Sequence, residues 1–374
     1  MTTDAMTPPP AADDRVFGTL HEFVAAARAR LDDRIWGYLV GGSDTETTLA
    51  RNRQALDSLA LRARILRDVS RIDLGARFLG KPSRLPVGLA PVGSLDAFWP
   101  EGAFAAAQAA SEFGLPFFVS SVKLEMMEPM AAHCTGPKVY QLYPRGDADW
   151  IDAQIARVIA AGYDAVCFTV DNAVSSRRER DISQGFERPW KKAAKGTEFQ
   201  ASFTWSDLER VKKTHDIPVM LKGVNTGEDA ARACAAGVDV VYVSNHGGRQ
   251  LDHGPGMIEV LPEVLAAVNG RVPVIVDGGF CRGTDIVKAM ALGASFVNIG
   301  RMYLFAVAAG GKAGVLQMLD ILEREIEIAM GLLGCRTWDD LTPALVQPAR
   351  PVTTPHVFSA FPLLALDSPA RRPG

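Results

Sequence analysis

The sequence predicts an α/β fold: a closed (β/α)8 TIM barrel with an N-terminal helical segment and a proline-rich C-terminal tail. Two observations lead to this fold class. Eight short apolar runs recur along the chain, and helical stretches separate most of them. The length of 374 residues suits a single barrel of this kind with additional segments at its ends.

The eight apolar runs are the predicted strands. They are too continuously apolar for strands with one exposed face, which indicates parallel strands that are buried on both faces. Gly162, Gly237 and Gly293 precede three of them and suit the left-handed position at which a helix ends. Proline precedes several others, where its missing N–H costs little. The predicted strands lie near residues 85–90, 116–120, 138–142, 164–170, 218–222, 239–244, 273–277 and 295–299.

An open, doubly wound sheet is the alternative fold. The count of eight units and the absence of a G-x-G-x-x-G motif after the first strand favour the closed barrel. We expect a disordered N-terminus over residues 1–14, the barrel over 15–341 and the proline-rich tail over 342–374. The tail is expected to lack regular structure. Its apolar segment, residues 358–366, is expected to dock on the barrel or on a neighbouring subunit.

Composition excludes several classes of protein. The formal net charge is −3 and no lysine- or arginine-rich run occurs, which argues against nucleic acid as a partner. The five cysteines form no C-x-x-C pair, so we expect no metal site, no disulfide framework and a reducing, cytoplasmic location. The first fourteen residues do not resemble a signal peptide, and no apolar run is long enough to predict a membrane span.

Polar residues gather where the predicted strands end. The active site of a TIM barrel lies at the carboxyl ends of its strands, so these residues are the candidates for function. They are Pro91, Val92, Gly93, Ser120, Gln141, Tyr143, Thr169, Asp171, Lys222, Ser244, His246, Asp277, Gly278, Gly279, Gly300 and Arg301.

A phosphate site is predicted at the ends of the last two strands. Asp277, Gly278 and Gly279 follow the seventh strand, and Gly300 and Arg301 follow the eighth. Glycine lets backbone N–H groups approach an anion closely, and arginine can bind it through two hydrogen bonds. The Asp-Gly-Gly run alone would equally suit a tight turn, and the glycine and arginine beside it favour phosphate.

Lys222 ends the fifth strand, within an otherwise apolar run. A buried lysine is costly unless it faces a negative charge. It therefore indicates either an amine for Schiff-base chemistry or a cation beside an electron-rich cofactor ring. A lysine that reaches out to solvent is the structural alternative.

His246 and Asp171 lie at the ends of different strands. A carboxylate beside a histidine fixes its tautomer and stabilises the imidazolium, which suits proton abstraction. Isolated histidines are more often structural. Arg249, three residues further on, is placed to hold an anion such as a carboxylate and favours the catalytic interpretation.

Residues 244–252, SNHGGRQLD, resemble the signature of the FMN-dependent L-2-hydroxy acid oxidases and dehydrogenases. Glycolate oxidase, lactate oxidase and mandelate dehydrogenase belong to this family. The resemblance extends from about Phe17 to Leu341. It includes GGSDTETTLARNR near the N-terminus, QLY at 141–143, TVD at 169–171 and DGG at 277–279. It implies FMN as the cofactor, bound by the barrel over 15–341.

The resemblance implies a role for each matching residue, with His246 as the base, Asp171 as its partner and Lys222 beside flavin N1. The implied catalytic residues are His246, Asp171, Tyr143 and Lys222. The implied substrate contacts are Tyr38, Tyr143, Arg178, His246 and Arg249. The implied cofactor contacts are Pro91, Val92, Gly93, Ser120, Gln141, Thr169, Lys222, Ser244, Asp277, Gly278, Gly279, Gly300 and Arg301.

The implied reaction is oxidation of an L-2-hydroxy acid to the 2-oxo acid, with flavin N5 as hydride acceptor. The residues leave open a carbanion route, and leave open oxygen or another electron acceptor. The family implies a homotetramer. A specialised flavoenzyme that acts on a natural-product or peptide-derived substrate is the alternative function. The intact His246 and Arg249 argue against an isopentenyl diphosphate isomerase and against a non-catalytic flavin-binding protein.

Four positions depart from the family pattern. Ala173 and Val174, at the mouth of the pocket, replace the usual proline and the residue that follows it after the TVD motif. Gly93 falls where a small residue lies against flavin N5, and we expect it to leave more room there. Val122 stands where glycolate oxidase has a tryptophan, which predicts a wider pocket and a substrate bulkier than glycolate. Cys281 stands where an arginine normally contacts the FMN phosphate, and Arg282 beside it is not expected to replace that contact. This predicts weaker retention of FMN.

Overall fold

The strands are close to the predicted positions in the computed structural model, which describes residues 16–187, 196 and 198–366. In chain order they are β1 (Leu59–Leu61), β2 (Ala76–Phe78), β3 (Lys81–Ser83), β4 (Val87–Leu89), β5 (Phe117–Ser120), β6 (Lys138–Leu142), β7 (Ala165–Thr169), β8 (Val219–Val224), β9 (Val240–Val243), β10 (Val274–Val276), β11 (Phe296–Ile299) and β12 (Val346–Pro348). Strands β4 to β11 are the eight that the sequence predicts.

These eight strands form a closed parallel barrel. Each pairs with the next in the chain, and β11 pairs with β4. That last pair closes the sheet, so the prediction of a closed barrel is confirmed and the open, doubly wound alternative is wrong. All eight carboxyl ends therefore meet at one rim.

Helices surround the barrel and precede it, as predicted. They are α1 (Leu20–Arg30), α2 (Asp33–Val40), α3 (Thr47–Asp57), α4 (Gly102–Phe113), α5 (Met127–His133), α6 (Ala148–Ala160), α7 (Glu179–Ser183), α8 (Glu198–Ser202), α9 (Trp205–Thr214), α10 (Gly227–Ala235), α11 (Met257–Val268), α12 (Gly283–Leu292) and α13 (Arg301–Leu333). Helices α1 to α3 are the N-terminal helical segment.

The prolines and glycines that precede the predicted strands have the roles expected of them. The carbonyl of Pro137 accepts a hydrogen bond from Phe117 N at 3.0 Å, and that of Pro218 accepts one from Val166 N at 3.0 Å. A proline before a strand thus still contributes its acceptor to the ladder although it lacks a donor. Gly162 has a φ of +73°, in the left-handed region that glycine adopts without strain.

The end of the barrel opposite to this rim is closed by apolar side chains. The hairpin of β2 and β3 places Phe78 against Phe118 and Phe296, with ring centroids 5.8 and 5.1 Å apart. Phe78 is buried with the inward-facing side chains of the barrel strands. Since this end is filled, a ligand can enter only at the rim where the polar residues lie.

Helix α13 is the one helix of the described residues whose length and apolar composition would suit a membrane crossing. Most of its apolar stretch is buried in the protein, against α1, α4 and α12. The backbone leaves helical geometry at Gly310 and Gly311. A Cβ on Gly311 would lie 2.6 Å from the Trp99 ring, so the close approach requires glycine here. Burial in the core accounts for the apolar composition of the helix.

The C-terminal tail is more ordered than the sequence predicts. Strand β12 pairs antiparallel with β1, which corrects the expectation that the tail lacks regular structure. The pairing joins residues that are far apart in the sequence, such as Leu59 and Pro348, so it could not be predicted from a local sequence pattern. The boundaries at 15–341 and 342–374 stay predictions, and residues 1–14, expected to be disordered, lie outside the described residues.

The apolar segment of the tail docks on the same chain. Phe361 is 1% exposed and its ring meets that of Phe305 on α13 edge-on, with centroids 6.2 Å apart. Phe358 stacks on Trp36 of α2, with the rings 6° from parallel. The tail thereby joins the N-terminal helices to the helix that follows the last barrel strand.

We expect Phe361→Ala to lower the free energy of unfolding by about 3 kcal/mol, because it leaves a cavity where a phenyl ring was buried. Leu363→Ala is the matched control, since Leu363 lies in the same segment but is 52% exposed. Urea unfolding followed by circular dichroism measures both. Equal losses for the two variants would contradict the docked tail.

Candidate functional site

A cavity opens at the carboxyl ends of the barrel strands, where the sequence predicts the site. Of the predicted site residues, those that line it are Tyr38, Pro91, Val92, Gly93, Tyr143, Arg178, Lys222, His246, Arg249, Asp277, Gly278, Gly279, Gly300 and Arg301. The others stand behind this lining: Ser120, Gln141, Thr169, Asp171 and Ser244. They contact the lining residues or lie at the ends of neighbouring strands. The fold therefore brings all the predicted residues to one place.

The His246 ring lies between a carboxylate and a phenol. Its Nδ1 is 3.0 Å from Asp171 Oδ1, and its Nε2 is 3.4 Å from the hydroxyl of Tyr143. The backbone of His246 has a φ of +58°, and its N–H donates to Ser244 Oγ at 3.1 Å. This strained turn after β9 places the ring above the barrel.

The charges around His246 favour a neutral imidazole in the resting protein. Burial lowers the pKa of His246, and Asp171 only partly offsets that effect. Burial opposes the charge of Asp171, but His246 and Lys222 outweigh it and lower the pKa of this carboxyl. Burial raises the pKa of Tyr143 to about 12, so its hydroxyl stays protonated. The arrangement offers a free base, an anionic partner and a neutral donor.

Lys222 is held by a buried polar network. It is 3% exposed, and its Nζ donates to Ser244 Oγ at 2.7 Å and lies 3.7 Å from Asp277 Oδ2. Asp277 also accepts from Ser244 at 2.6 Å and from Tyr242 at 2.8 Å. Burial opposes the lysine charge, but Asp277 and Asp171 outweigh that effect and raise its pKa. Lys222 is therefore a fixed cation and not a free amine for a Schiff base.

Two buried polar atoms beside Lys222 have no hydrogen-bond partner within the described part of the chain. They are Gln141 Nε2 and Thr169 Oγ1. Ser120 Oγ donates to Gln141 Oε1 at 2.9 Å, which fixes the amide so that its nitrogen is left for another acceptor. A buried donor without an acceptor costs about 1–3 kcal/mol, so these atoms call for a polar ligand. The edge of a flavin ring supplies such acceptors and donors.

The ends of β10 and β11 have the features of an anion site. Gly278 and Gly279 have φ values of +111° and +87°, and a Cβ on either would lie within 3.0 Å of Asn52 atoms. Arg301 begins helix α13, whose amino-terminal N–H groups favour an anion. Burial, followed by the charge of Arg249, lowers the pKa of Arg301 to about 9. A phosphate would restore the balance of charge, and the residues at both ends of the cavity therefore fit FMN.

Arg249 lines the same cavity and has the features of a residue that binds an anion. Its guanidinium lies 4.5 Å from the centre of the Tyr38 ring, and its Nη1 donates to the carbonyl of Tyr38 at 2.7 Å. Its Nη2 is buried without a partner among the described residues. Arg178 lies 6.0 Å from the same ring and donates to the Arg249 carbonyl at 3.4 Å.

Cys281 and Arg282 take different directions after β10. Cys281 is buried and lines the cavity, and burial raises the pKa of its thiol to about 11. Arg282 turns away from the cavity, because it pairs with Glu325 on α13. Arg53 lines the cavity nearby but is bound to Asp285 at 2.7 Å and to Asp57. Neither arginine is free to replace the one that the family pattern has at position 281.

The structure corrects the expectation for Gly93. The absence of its side chain was expected to leave room, but Val122 fills that space: a Cβ on Gly93 would lie 2.2 Å from Val122 Cγ2. Glycine at one position thus permits valine at the other.

The lining residues that the sequence analysis missed include Arg53, Ser94 and Arg145. Arg53 lies inside a segment that was recognised only as a motif, and Ser94 was not singled out. Ser94 Oγ is 3.0 Å from the hydroxyl of Tyr38. Arg145 follows Tyr143 by two residues and lines the cavity. That spacing after a strand end is a signal that could have identified it.

Known proteins resemble this chain over most of its length. The profile of the FMN-dependent dehydrogenase family matches residues 27–348. A 4-hydroxymandelate oxidase of Amycolatopsis orientalis is 40% identical over 341 residues, which are 85% of this chain and 95% of that protein. A peroxisomal (S)-2-hydroxyacid oxidase of Arabidopsis thaliana is 39% identical over 340 residues, covering 86% of this chain and 94% of that protein.

Solved structures agree with this result. A structure of mandelate oxidase with benzoylformic acid has a TM-score of 0.84 and 40% sequence identity to this chain. The match covers 90% of this chain and all of that one. The barrel, the family profile and the curated relatives therefore agree. This chain belongs to the FMN-dependent dehydrogenase family, whose members include the 2-hydroxy acid oxidases.

Proposed function

We propose that this chain oxidises an L-2-hydroxy acid to the corresponding 2-oxo acid, with His246 as the catalytic base. The observation that carries the proposal is the pair of His246 and Asp171, 3.0 Å apart, in one cavity with an arginine that has an unpartnered nitrogen. A base and an anion clamp that line one cavity suit a substrate whose hydroxyl and carboxylate are attached to the same carbon.

The substrate carboxylate would be held by Arg249. The Nη2 atom, which has no partner among the described residues, would supply one hydrogen bond, and the hydroxyl of Tyr38, whose ring lies 4.5 Å from the same guanidinium, would supply another. Arg178 adds positive charge close to this stack. Fixing the carboxylate at two points orients the α-carbon, and such positioning lowers a barrier by several kcal/mol.

His246 would take the proton at Nε2. A carboxylate can only accept hydrogen bonds, so Asp171 holds the ring proton on Nδ1 and leaves the lone pair of Nε2 for the substrate. The imidazolium formed in the step is then stabilised by the same carboxylate. Tyr143, which lies 3.4 Å from Nε2, donates a hydrogen bond to the substrate oxygen.

FMN, when bound, takes up the two electrons that the substrate loses. The residues that would hold its ring are Pro91, Val92, Gly93, Ser120, Gln141, Thr169, Lys222 and Ser244. Those that would hold its ribityl chain and phosphate are Asp277, Gly278, Gly279, Gly300 and Arg301. Lys222 would supply a buried positive charge beside the ring.

We propose a substrate bulkier than glycolate. Val122 lines the cavity and is much smaller than the tryptophan that glycolate oxidase has at this position. Two of the relatives and structures named above are oxidases of mandelate or 4-hydroxymandelate. Since the relatives are named as oxidases, we propose oxygen as the electron acceptor. The cytoplasmic location stays a prediction, because some relatives are peroxisomal, and the homotetramer stays one as well.

The proposal is tested with the FMN-loaded protein and a panel of L-2-hydroxy acids in the absence of oxygen. Mandelate and a long-chain 2-hydroxy acid should bleach the flavin absorbance faster than glycolate does, and air should restore the colour. A panel in which no acid bleaches the flavin rejects the proposed function. Faster bleaching by glycolate rejects only the bulkier substrate, and slow recovery in air but fast recovery with a dye rejects oxygen as acceptor.

The pH dependence should report His246. Its pKa is lowered by burial, and a base works when it is neutral, so we expect kcat/KM to fall only below about pH 6.5. Asp171→Asn removes the carboxylate that raises this pKa. The acid limb should move to lower pH, while the plateau of kcat/KM falls about a hundredfold because the imidazolium loses its partner.

The exposed Asp149→Asn is the control for this profile and should match the parent protein. An acid limb that moves to higher pH in Asp171→Asn would contradict the assigned partnership, as would a plateau that does not fall.

We propose that Cys281 weakens the grip on FMN. Introducing Cys281→Arg should strengthen FMN binding about tenfold, since it restores one charge-assisted hydrogen bond to the phosphate. Titration of the apoprotein with FMN, followed by quenching of flavin fluorescence, measures the affinity. Cys281→Ser, which adds no charge, is the matched control and should change it little. Equal affinities for the arginine and serine variants would refute the idea.

A further inference from the structure

The positive charges of the cavity exceed what the proposed reaction uses. Lys222 is balanced by Asp277, and Arg53 by Asp285 and Asp57. Three further arginines line the cavity without an ion pair to any carboxylate of the described residues. They are Arg145, Arg249 and Arg301. Each of the three could therefore pair with an anionic group of a ligand.

Two of these three arginines have an assigned anion. Arg301 stands at the amino terminus of α13 beside the glycines that suit a phosphate, and Arg249 is the clamp for the substrate carboxylate. Neither the cofactor nor the 2-hydroxy acid group of the substrate accounts for Arg145.

Arg145 lies on the substrate side of the cavity. It follows β6 and its guanidinium carbon is 5.6 Å from the centre of the Tyr143 ring. Tyr143 in turn is 3.4 Å from His246, so the arginine stands one aromatic ring away from the base. A substrate whose hydroxyl reaches His246 can therefore extend its far end towards Arg145.

The surroundings of Arg145 lack what an arginine normally binds. Its Nε is buried and has no hydrogen-bond partner among the described residues. Burial lowers the pKa of Arg145, and the groups that oppose this effect are tyrosines, Tyr143 and Tyr140, with no carboxylate among them. An arginine that served only to cover a tyrosine would keep its N–H groups in water. Here one of them is removed from water without an acceptor among the described residues, which is unfavourable unless a ligand supplies one.

Other polar groups line the same cavity. They are Asn172, Ser175 and Gln200, whose hydroxyl and amide N–H groups can donate hydrogen bonds to an anion. An apolar substituent placed here would leave these groups and Arg145 without partners. A carboxylate would accept hydrogen bonds from the planar guanidinium through both of its oxygens.

We propose that Arg145 binds a second carboxylate at the far end of the substrate, so that this chain acts on 2-hydroxy dicarboxylic acids. The inference rests on the proposed function and names the substrate class of that site. The reaction is unchanged: the C–OH carbon loses two electrons to FMN, and the distal carboxylate takes no part in it. Arg145 is a specificity-determining residue and not a catalytic one.

Two matched pairs of substrates test the inference. In each pair, one acid has the distal carboxylate and the other has an isopropyl group of similar size in its place. The aliphatic pair is L-2-hydroxyglutarate and L-2-hydroxy-5-methylhexanoate, and the aromatic pair is L-4-carboxymandelate and L-4-isopropylmandelate. The readout is the ratio of kcat/KM for the charged acid to that for the uncharged one. We expect this ratio to exceed ten in at least one pair for the parent protein.

Variants of Arg145 connect this preference with the residue. Arg145→Met should lower the ratio at least tenfold, and Arg145→Lys, which keeps the charge but loses the planar fork, should give an intermediate value. Arg324→Met removes an exposed arginine from α13 and should keep the parent ratio. Because both substrates of a pair are measured on the same preparation, a variant that folds less well changes both rates and leaves the ratio interpretable.

Binding without turnover gives an independent readout. The 2-oxo acid products of each pair are titrated into the oxidised protein by calorimetry, and Arg145→Met should weaken the dicarboxylic product at least tenfold more than its isopropyl counterpart. A ratio near one in both pairs of the parent protein overturns the inference, as does an unchanged ratio in Arg145→Met. If none of the four acids reduces the flavin although mandelate does, the dicarboxylate is rejected and the proposed function stands; if mandelate and the other acids of the panel fail as well, the proposed function itself fails. If only the uncharged acids reduce the flavin, the proposed function stands and the dicarboxylate is rejected.

Discussion

The pairing of β11 with β4 is the constraint on which the rest of the structure depends. It closes eight parallel strands into a barrel and sends every carboxyl end to the same rim. With Phe78 filling the opposite end, residues as distant in sequence as Tyr143 and His246 come within 3.4 Å of each other. The strands themselves are buried and apolar, so the polar side chains that could bind a ligand lie after the strand ends, at the rim.

The cavity contains positive charges that are buried away from water. Lys222 is almost fully buried and is tolerated because Asp277 and Asp171 offset its desolvation. Arg301 has no ion pair with a carboxylate among the described residues, and burial together with the charge of Arg249 lowers its pKa more than Glu46 raises it. Burial likewise favours the neutral form of His246, while Asp171, 3.0 Å away, would stabilise the imidazolium of the proposed reaction. In the proposed complex, the anionic groups of the cofactor and of the substrate would balance the positive charges of Arg301 and Arg249.

The sequence predicted what depends on strand ends and motifs. The eight strands, the rim and the positions of Lys222 and His246 follow from apolar runs and from what comes directly after them. Contacts between distant segments could not be predicted in this way. The pairing of β12 with β1 is one case, and the contact of Ser94 with Tyr38 is another. In both cases the local sequence of one segment does not indicate which distant segment it will contact. Arg145 was missed for a different reason, since a charged residue in a loop is usually solvated.

Gly93 and Val122 have a consequence for the evolution of the cavity. A Cβ on Gly93 would overlap the valine side chain at 2.2 Å, so position 93 cannot take a larger residue while Val122 keeps its side chain in this place. The order of substitution matters: a larger residue at position 93 is accommodated only after position 122 has become smaller or has turned its side chain away. The two residues are therefore epistatic, and a lineage that changes the space in front of the cofactor must pass through a narrow set of intermediate sequences.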